Sequence, residues 1–416
     1  MSANIPEGPT PIRPEPAAQP QPEQPAKTPF SLRSLALLLL PLVLLSGVLT
    51  VIVKTDAGLG DRTVPPIETL NVSRVTLPEP GMIELRVTND GPDPITIAQV
   101  LVDEAYWQFE MEPGQTLERL DSATIRIPYP WVTDEGHAIG LISATGVVFE
   151  AEIPVAIESP KADREGFLRF ALVGLYVGIV PIALGLLWFP AMRSLGRAGM
   201  AFVLALTVGL LVFLAIDMWQ EAHEVALGVA GSFEAPVLIP ALAIVTTGLL
   251  MVVGHMLRQR FGNETGLPLA YQIATGIGLH NLGEGLAIGA AFALGEAALG
   301  VFLIIGFTLH NVTEGVGIAA PIVRERPSLT HFVLLAAVAG APAIIGTWIG
   351  AYVFSPLWTT VFLAIGIGAI AQVVIEVGRL IWRGQTRAGE PAITWPTFGG
   401  FTAGMGIMYL TALLVA

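Results

Sequence analysis

Hydrophobic residues in this chain follow two rhythms. The run 34–53 (Ser-Leu-Ala-Leu-Leu-Leu-Leu-Pro-Leu-Val…) carries no charge. Eight more apolar runs fall near 167–190, 200–222, 234–256, 269–292, 297–322, 331–354, 358–380 and 394–415, with short loops between them. About 20 such residues in helical form cross a hydrocarbon layer, so each run predicts a transmembrane helix. Between 60 and 160 apolar and polar residues alternate instead, as in Met82-Ile-Glu-Leu-Arg-Val-Thr88, Thr96-Ile-Ala-Gln-Val-Leu-Val102, Ala123-Thr-Ile-Arg-Ile-Pro128 and Val147-Val-Phe-Glu-Ala-Glu-Ile153. Turn signals separate these runs at Asn89-Asp-Gly-Pro-Asp-Pro94, Glu112-Pro-Gly114 and Asp134-Glu-Gly136. Short period-two runs at roughly ten-residue spacing predict a β-sandwich. Residues 1–30, rich in Pro, Gln, Glu and Ala, have no apolar period and predict a disordered tail.

The expected organisation is therefore a tail (1–30), an N-terminal anchor (31–54), a β-sandwich (60–160) and an eight-helix bundle (166–416). The fold class is an all-α polytopic membrane bundle with an inserted β domain. The first run could also be the apolar part of a cleaved signal peptide. The long preceding tail and the lack of a small-x-small site favour an anchor.

Composition agrees with a lipid environment. The chain is 53% apolar and only 13% charged, where soluble proteins carry about 25% charged residues. Cysteine is absent, which excludes disulfides and thiolate metal sites. Net charge is −13, and the stretch from Lys54 to Glu165 holds 20 acidic against 8 basic residues, a net of −12. That argues against nucleic acid as a partner. Arg193 and Arg197, Arg258 and Arg260, Arg324 and Arg326, and Arg379, Arg383 and Arg387 fall in alternate loops, while 223–234, 293–297 and 354–358 have no Lys or Arg. The positive-inside rule makes the Arg loops cytoplasmic. The expected setting is the plasma membrane, with the β domain and the C-terminus outside and the N-terminal tail inside.

Two apolar runs carry near-copies of one polar motif, Leu279-His-Asn-Leu-Gly-Glu-Gly285 and Leu309-His-Asn-Val-Thr-Glu-Gly315, thirty residues apart. Seven of twelve positions match when 279–290 is laid on 309–320. In a helix His280 and Glu284 stack on one face with Asn281 beside them, and His310, Asn311 and Glu314 repeat this. A tight link near Gly295-Glu296 predicts antiparallel neighbours. Each histidine lies 15 residues from Gly295, which is roughly 22 Å of helix and the same depth. The glycines at 276, 278, 283, 285, 306 and 315 are expected to let backbones approach closely. Imidazole, amide and carboxylate are costly within a bilayer. They could serve only to tie helices together by hydrogen bonds; their duplication at matched depth favours a cation site. Imidazole with carboxylate suits zinc, iron, manganese or cobalt.

Taken together, these motifs resemble the paired fourth- and fifth-helix signatures of the ZIP (Zrt/Irt-like) divalent metal transporters, whose prokaryotic members carry His-Asn-x-Pro-Glu-Gly sequences. The resemblance covers about 166–416. It implies an eight-span core and a metal site, often binuclear, in the transport path, with His280, Asn281, Glu284, His310, Asn311 and Glu314 as ligands. It implies a bundle containing the fourth and fifth helices sliding against the rest. Gly283 and Thr313 replace the family's motif proline. The sixth-helix Glu-Pro is replaced by Gly340-Ala341-Pro342, with no acid in 331–354, which puts a second metal in question. The histidine-rich cytoplasmic loop of many members is missing from 257–268.

Asp217, Glu221, His223 and Glu224 cluster near the outer end of the second core helix, where they form either a solvated helix end or a cation-collecting mouth. Gln372 and Glu376 fall near the inner end of the seventh, where Glu376 either belongs to an exit path or pairs with Arg379 or Arg383. His255 and His331 read as interfacial and structural, and His137 stands alone in the β domain. The expected function is uptake of a divalent cation, zinc first, with iron, manganese and cadmium as alternatives. The metal is substrate; no prosthetic group and no enzyme activity are expected. The partners are the cation and the lipid bilayer, with the β domain open to metal capture, a partner contact or a homodimer. Two rivals use the same ligands: an intramembrane metal-dependent hydrolase, disfavoured by the lack of His-Glu-x-x-His, and a membrane metal sensor.

Overall fold

The computed structural model describes residues 32–55, 66–261 and 266–415. The expected disordered tail at 1–30 and the start of the expected β-sandwich at 60–65 lie outside the described residues. The chain divides into two units, 1–65 and 66–416. In the first, helix α1 spans Leu32–Lys54. Leu37, Val43 and Leu44 on it are exposed, as a helix meeting lipid requires.

The second unit begins with nine strands: β1 Leu70–Glu79, β2 Met82–Asn89, β3 Ile95–Val102, β4 Ala105–Trp107, β5 Glu110–Glu112, β6 Thr116–Leu117, β7 Ser122–Ile127, β8 His137–Ser143 and β9 Val148–Ile153. They form two antiparallel sheets, ordered β1-β2-β7-β5 and β4-β3-β8-β9, with β6 paired to β3. Alternation does the work here. Ile83, Leu85 and Val87 of β2 and Ile125 and Ile127 of β7 turn inward, with Ile97, Val100 and Val102 of β3 and Ile139 and Leu141 of β8, into one apolar cluster. The intervening polar residues face water or the sheet edge.

Among the described residues the long helical stretches that follow are α2 Arg164–Met192, α3 Arg197–Leu227, α4 Ala235–Phe261, α5 Leu267–Ala293, α6 Ala297–Ala319, α7 Leu329–Val353, α8 Pro356–Arg387 and α9 Trp395–Val415. They begin and end within a few residues of the apolar runs, except that α8 extends to Arg387. Among the described residues seven helices, α1 included, are long and apolar enough to cross a membrane. Neither α5 nor α9 is among these seven.

Glycine positions divide the bundle into two groups. In the first, a Cβ at Gly285 or Gly278 of α5 would collide with the carbonyl of Ala343 or Val338 on α7. One at Gly185 of α2 would collide with that of Val312 on α6, and one at Gly178 with Gly340 on α7. In the second, Gly209 of α3 meets the Phe401 carbonyl of α9, and Gly368 of α8 meets that of Ala243 on α4. Backbone therefore rests on backbone across α2/α5/α6/α7, and in the pairs α3/α9 and α4/α8 of the second group. Between the groups the nearest corresponding contacts are to side chains, as with Gly276 against Val373, Gly283 against Leu363 and Gly317 against Thr207. Nor do the motif glycines draw α5 and α6 together; Gly285 seats α5 on α7, Gly315 seats α6 on α2, and Gly283 faces Leu363 of α8. The face between α5 and α6 is left to the bulkier polar side chains.

The β domain rests on the ends of α3, α5 and α7. It contacts Gly228, Gly231 and Ser232 after α3, Ala293 on α5 and Tyr352 on α7. These lie in or beside the three loops that lack Lys and Arg. Arg197, Arg324, Arg379, Arg383 and Arg387 line a cavity of about 1060 Å³ at the opposite helix ends.

Candidate metal centre

Helices α5 and α6 are joined by Leu294, Gly295 and Glu296. Gly295 has φ +81°, a left-handed conformation that glycine adopts without strain, and it reverses the chain in three residues. The His280 and His310 rings consequently meet at one depth, with centroids 6.2 Å apart. All six motif side chains are buried.

Glu284 sits between the imidazoles. Its Oε1 lies 2.5 Å from Nε2 of His310 and 2.9 Å from Nε2 of His280, and its Oε2 accepts a hydrogen bond from Asn311 Nδ2 at 3.0 Å. Nitrogen and carboxylate oxygen at such separations share a proton or a cation. Glu314 approaches His280 Nε2 at 3.9 Å. His280, His310 and Glu314 each offer a ligand atom, and these atoms lie within 4.8 Å of one another. Both Glu314 oxygens and the side-chain oxygens of Asn281 and Asn311 are buried without a hydrogen-bond partner among the described residues. Lone acceptors in such surroundings are several kcal/mol unfavourable unless a positive group joins them.

The two asparagines are held from outside the pair. Asn281 Nδ2 donates to the Ala339 carbonyl of α7 at 2.9 Å, and Asn311 Nδ2 donates to the Val177 carbonyl of α2 at 3.0 Å. Val177 lies in a π-helical turn, Leu175–Ile179, a distortion that diverts carbonyls from the helix ladder. With the amide N–H groups so engaged, the amide oxygens stay buried without a hydrogen-bond partner among the described residues. Thr313, standing where the resemblance expects proline, donates its hydroxyl to the His310 carbonyl at 2.5 Å.

One centre residue escapes sequence reasoning. Met218 of α3 is buried, with Sδ 2.8 Å from His280 Nδ1. A methionine in an apolar run reads as core; its position directly after Asp217 was the available signal. Asp217 and Glu221, one turn apart on α3, both interact electrostatically with His280 and Glu284. His223 is exposed beyond them, and nothing draws it to the centre.

Toward the Arg-lined end, Gln372 of α8 is buried, and neither atom of its amide has a hydrogen-bond partner among the described residues. It faces Gly276, one turn before His280. Glu376, one turn further, pairs with Arg379 at 3.1 Å and lines the large cavity with His255. His331 accepts or donates to the Tyr271 hydroxyl at 2.9 Å. The expectation of a solitary His137 is corrected: its Nδ1 lies 2.8 Å from Asp103 Oδ2, which also accepts from the Tyr129 hydroxyl. That contact arises because the β3–β4 turn carries Asp103 alongside β8.

No protein-family model matches the chain, and no curated protein matches it either.

Proposed function

We propose that the chain carries divalent transition-metal cations, zinc first, across the membrane into the cytoplasm, as a transporter of the ZIP kind with α2–α9 as its eight-span core. One observation carries this reading. Six buried polar side chains from two copies of one motif converge, and several of their oxygens have no partner among the described residues. A cation is the guest that makes such burial favourable.

The cation is substrate, held by His280, Glu284, His310 and Glu314, with Asn281 and Asn311 offering their amide oxygens. Glu284 supplies charge to both imidazoles, and Met218 abuts the outer nitrogen of His280. The β-domain end is the extracytoplasmic side, since the Arg-lined end is cytoplasmic by the positive-inside rule. Asp217 and Glu221 lend the site negative potential from α3, and the acidic β domain concentrates cations nearby. Gln372 and Glu376 mark the route inward. The seam between the two helix groups supports a rigid-body slide, because side chains rearrange where backbone contacts lock.

The test is zinc flux into proteoliposomes loaded with a fluorescent chelator. Metal-dependent filling that is lost in Glu284→Ala and His310→Ala supports a carrier. A protein that binds zinc but moves none is a sensor or a hydrolase, and the reading fails.

A further inference from the structure

The β domain touches both helix groups, and it does so in different ways. To the first group it is joined covalently, running from β9 through residues 154–163 into α2. It is also fastened there by Ser159 Oγ donating to the Ala293 carbonyl of α5 at 3.5 Å, and by Arg74 Nη1 donating to the Tyr352 carbonyl of α7 at 3.3 Å. With the second group it engages the α3–α4 connection. Asn71 Nδ2 donates to the Gly228 carbonyl at 3.0 Å. The Asp90 carboxylate accepts from the Gly231 amide at 2.5 Å and the Ser232 amide at 3.0 Å, while Ser232 Oγ donates to the Asp90 carbonyl at 3.4 Å.

Asp90 stands on the β2–β3 turn, which is rigid. The neighbouring Asn89 donates to the carbonyls of Asp93 and Leu117 and accepts from the Gly91 amide. The turn thus presents its carboxylate from a fixed base. Burial works against that charge, yet the Ser232 amide and hydroxyl, the Gly231 amide and Arg119 hold the Asp90 carboxyl below the usual carboxylate range. It is therefore ionised, and engaged, at neutral pH.

We propose that Asp90 is a latch: it ties the β domain, and with it the α2/α5/α6/α7 group, to the α3–α4 connection, and it releases whenever the motif-bearing group moves against the other. This rests on the transporter reading. The physical contrast supports it. Within the α2/α5/α6/α7 group, backbone is packed on backbone with no room for a methyl group. The Asp90 contact is a small polar one at the surface, whose partners water replaces at modest cost.

The chain has no cysteine, so Asp90→Cys with Ser232→Cys introduces its only two thiols. Two hydrogen bonds from Ser232 to Asp90, one from its amide and one from its hydroxyl, bring these residues within reach of a disulfide; a short thiol cross-linker serves the same purpose. Oxidation should cut zinc flux at least tenfold, and reductant should restore it. Asp90→Ala should keep zinc binding and raise the maximal rate with an unchanged half-saturating concentration. Full flux through the fully oxidised pair overturns the latch, and so does loss of flux in Asp90→Ala. Wild-type flux reports separately on the transporter reading. Independently of any flux, hydrogen exchange at the Gly231 and Ser232 amides should accelerate on adding zinc to the wild-type protein; exchange that is slow and indifferent to zinc contradicts the latch.

Discussion

The Glu284 carboxylate meets the His310 imidazole at 2.5 Å, across two helices joined by a three-residue turn. The same oxygen faces His280 at 2.9 Å. A residue of one motif copy thus closes on its own helix and on the other copy at once, which makes Glu284 the pivot of the cluster.

Asn311 spans the gap between that carboxylate and the Val177 carbonyl of α2. It orients Glu284 as well as offering an oxygen of its own. Asn311→Ala should weaken zinc affinity by about 10–100-fold, the usual effect of losing a group that orients a metal-binding carboxylate. Calorimetric titration in detergent reads this directly. Affinity within about twofold of wild type would leave Asn311 as packing only.

Gln372 allows a test in which stability and transport part company. Its amide is buried with no partner among the described residues, so Gln372→Leu should leave thermal stability unchanged or raised. If the route inward passes it, zinc flux should nevertheless fall several-fold while zinc binding at the motif cluster persists. A variant that is more stable and transports normally would assign Gln372 to the core.

Gly285 and Gly384 make a contrasting pair. A Cβ on Gly285 would run into the Ala343 carbonyl, whereas one on Gly384 meets nothing within 4 Å. Gly285→Ala should therefore destabilise the bundle by about 1–3 kcal/mol through backbone displacement. Gly384→Ala, in a helix, should be neutral or stabilising by up to about 1 kcal/mol. Thermal unfolding in detergent distinguishes them. Equal midpoints would contradict the packing described for α5 on α7.

Asp103 confers acid sensitivity on the β domain. Burial opposes its charge, but hydrogen bonds from the Ala138 amide, His137 and Tyr129 hold its carboxyl below the usual carboxylate range. A depressed carboxylate stabilises the fold above its unfolded pKa, near 3.9, and that contribution fades as pH drops through the folded value. Protection of the β8 amides from hydrogen exchange should hold from neutral pH to about 4 and fall below it. In Asp103→Asn, where asparagine tolerates the positive φ, that fall should be shallower. Identical profiles would remove Asp103 from the account.

Much of this architecture was legible in the chain because lipid and pleated sheet impose strong periods. Uncharged runs announce helices, as at 331–354, and alternation at Met82–Thr88 announces a strand facing a core. The motif pair was legible through its matched distance from Gly295. Contacts set by how helices pack were not. Met218 looks like any core methionine, and the Val177 and Ala339 carbonyls belong to backbone that carries no side-chain signal. The motif glycines gave close packing but not the partner, since a glycine is silent about which helix approaches it. The docking of Asp90 on Gly231 and Ser232, over 140 residues away, has no local cue.

The most direct measurement is X-ray absorption at the zinc edge on the loaded full-length protein. A nitrogen- and oxygen-bound ion is expected, with imidazole scattering that diminishes in His280→Ala and again in His310→Ala. A zinc spectrum unchanged by both substitutions, or one without imidazole, would contradict a cation held between the two motifs.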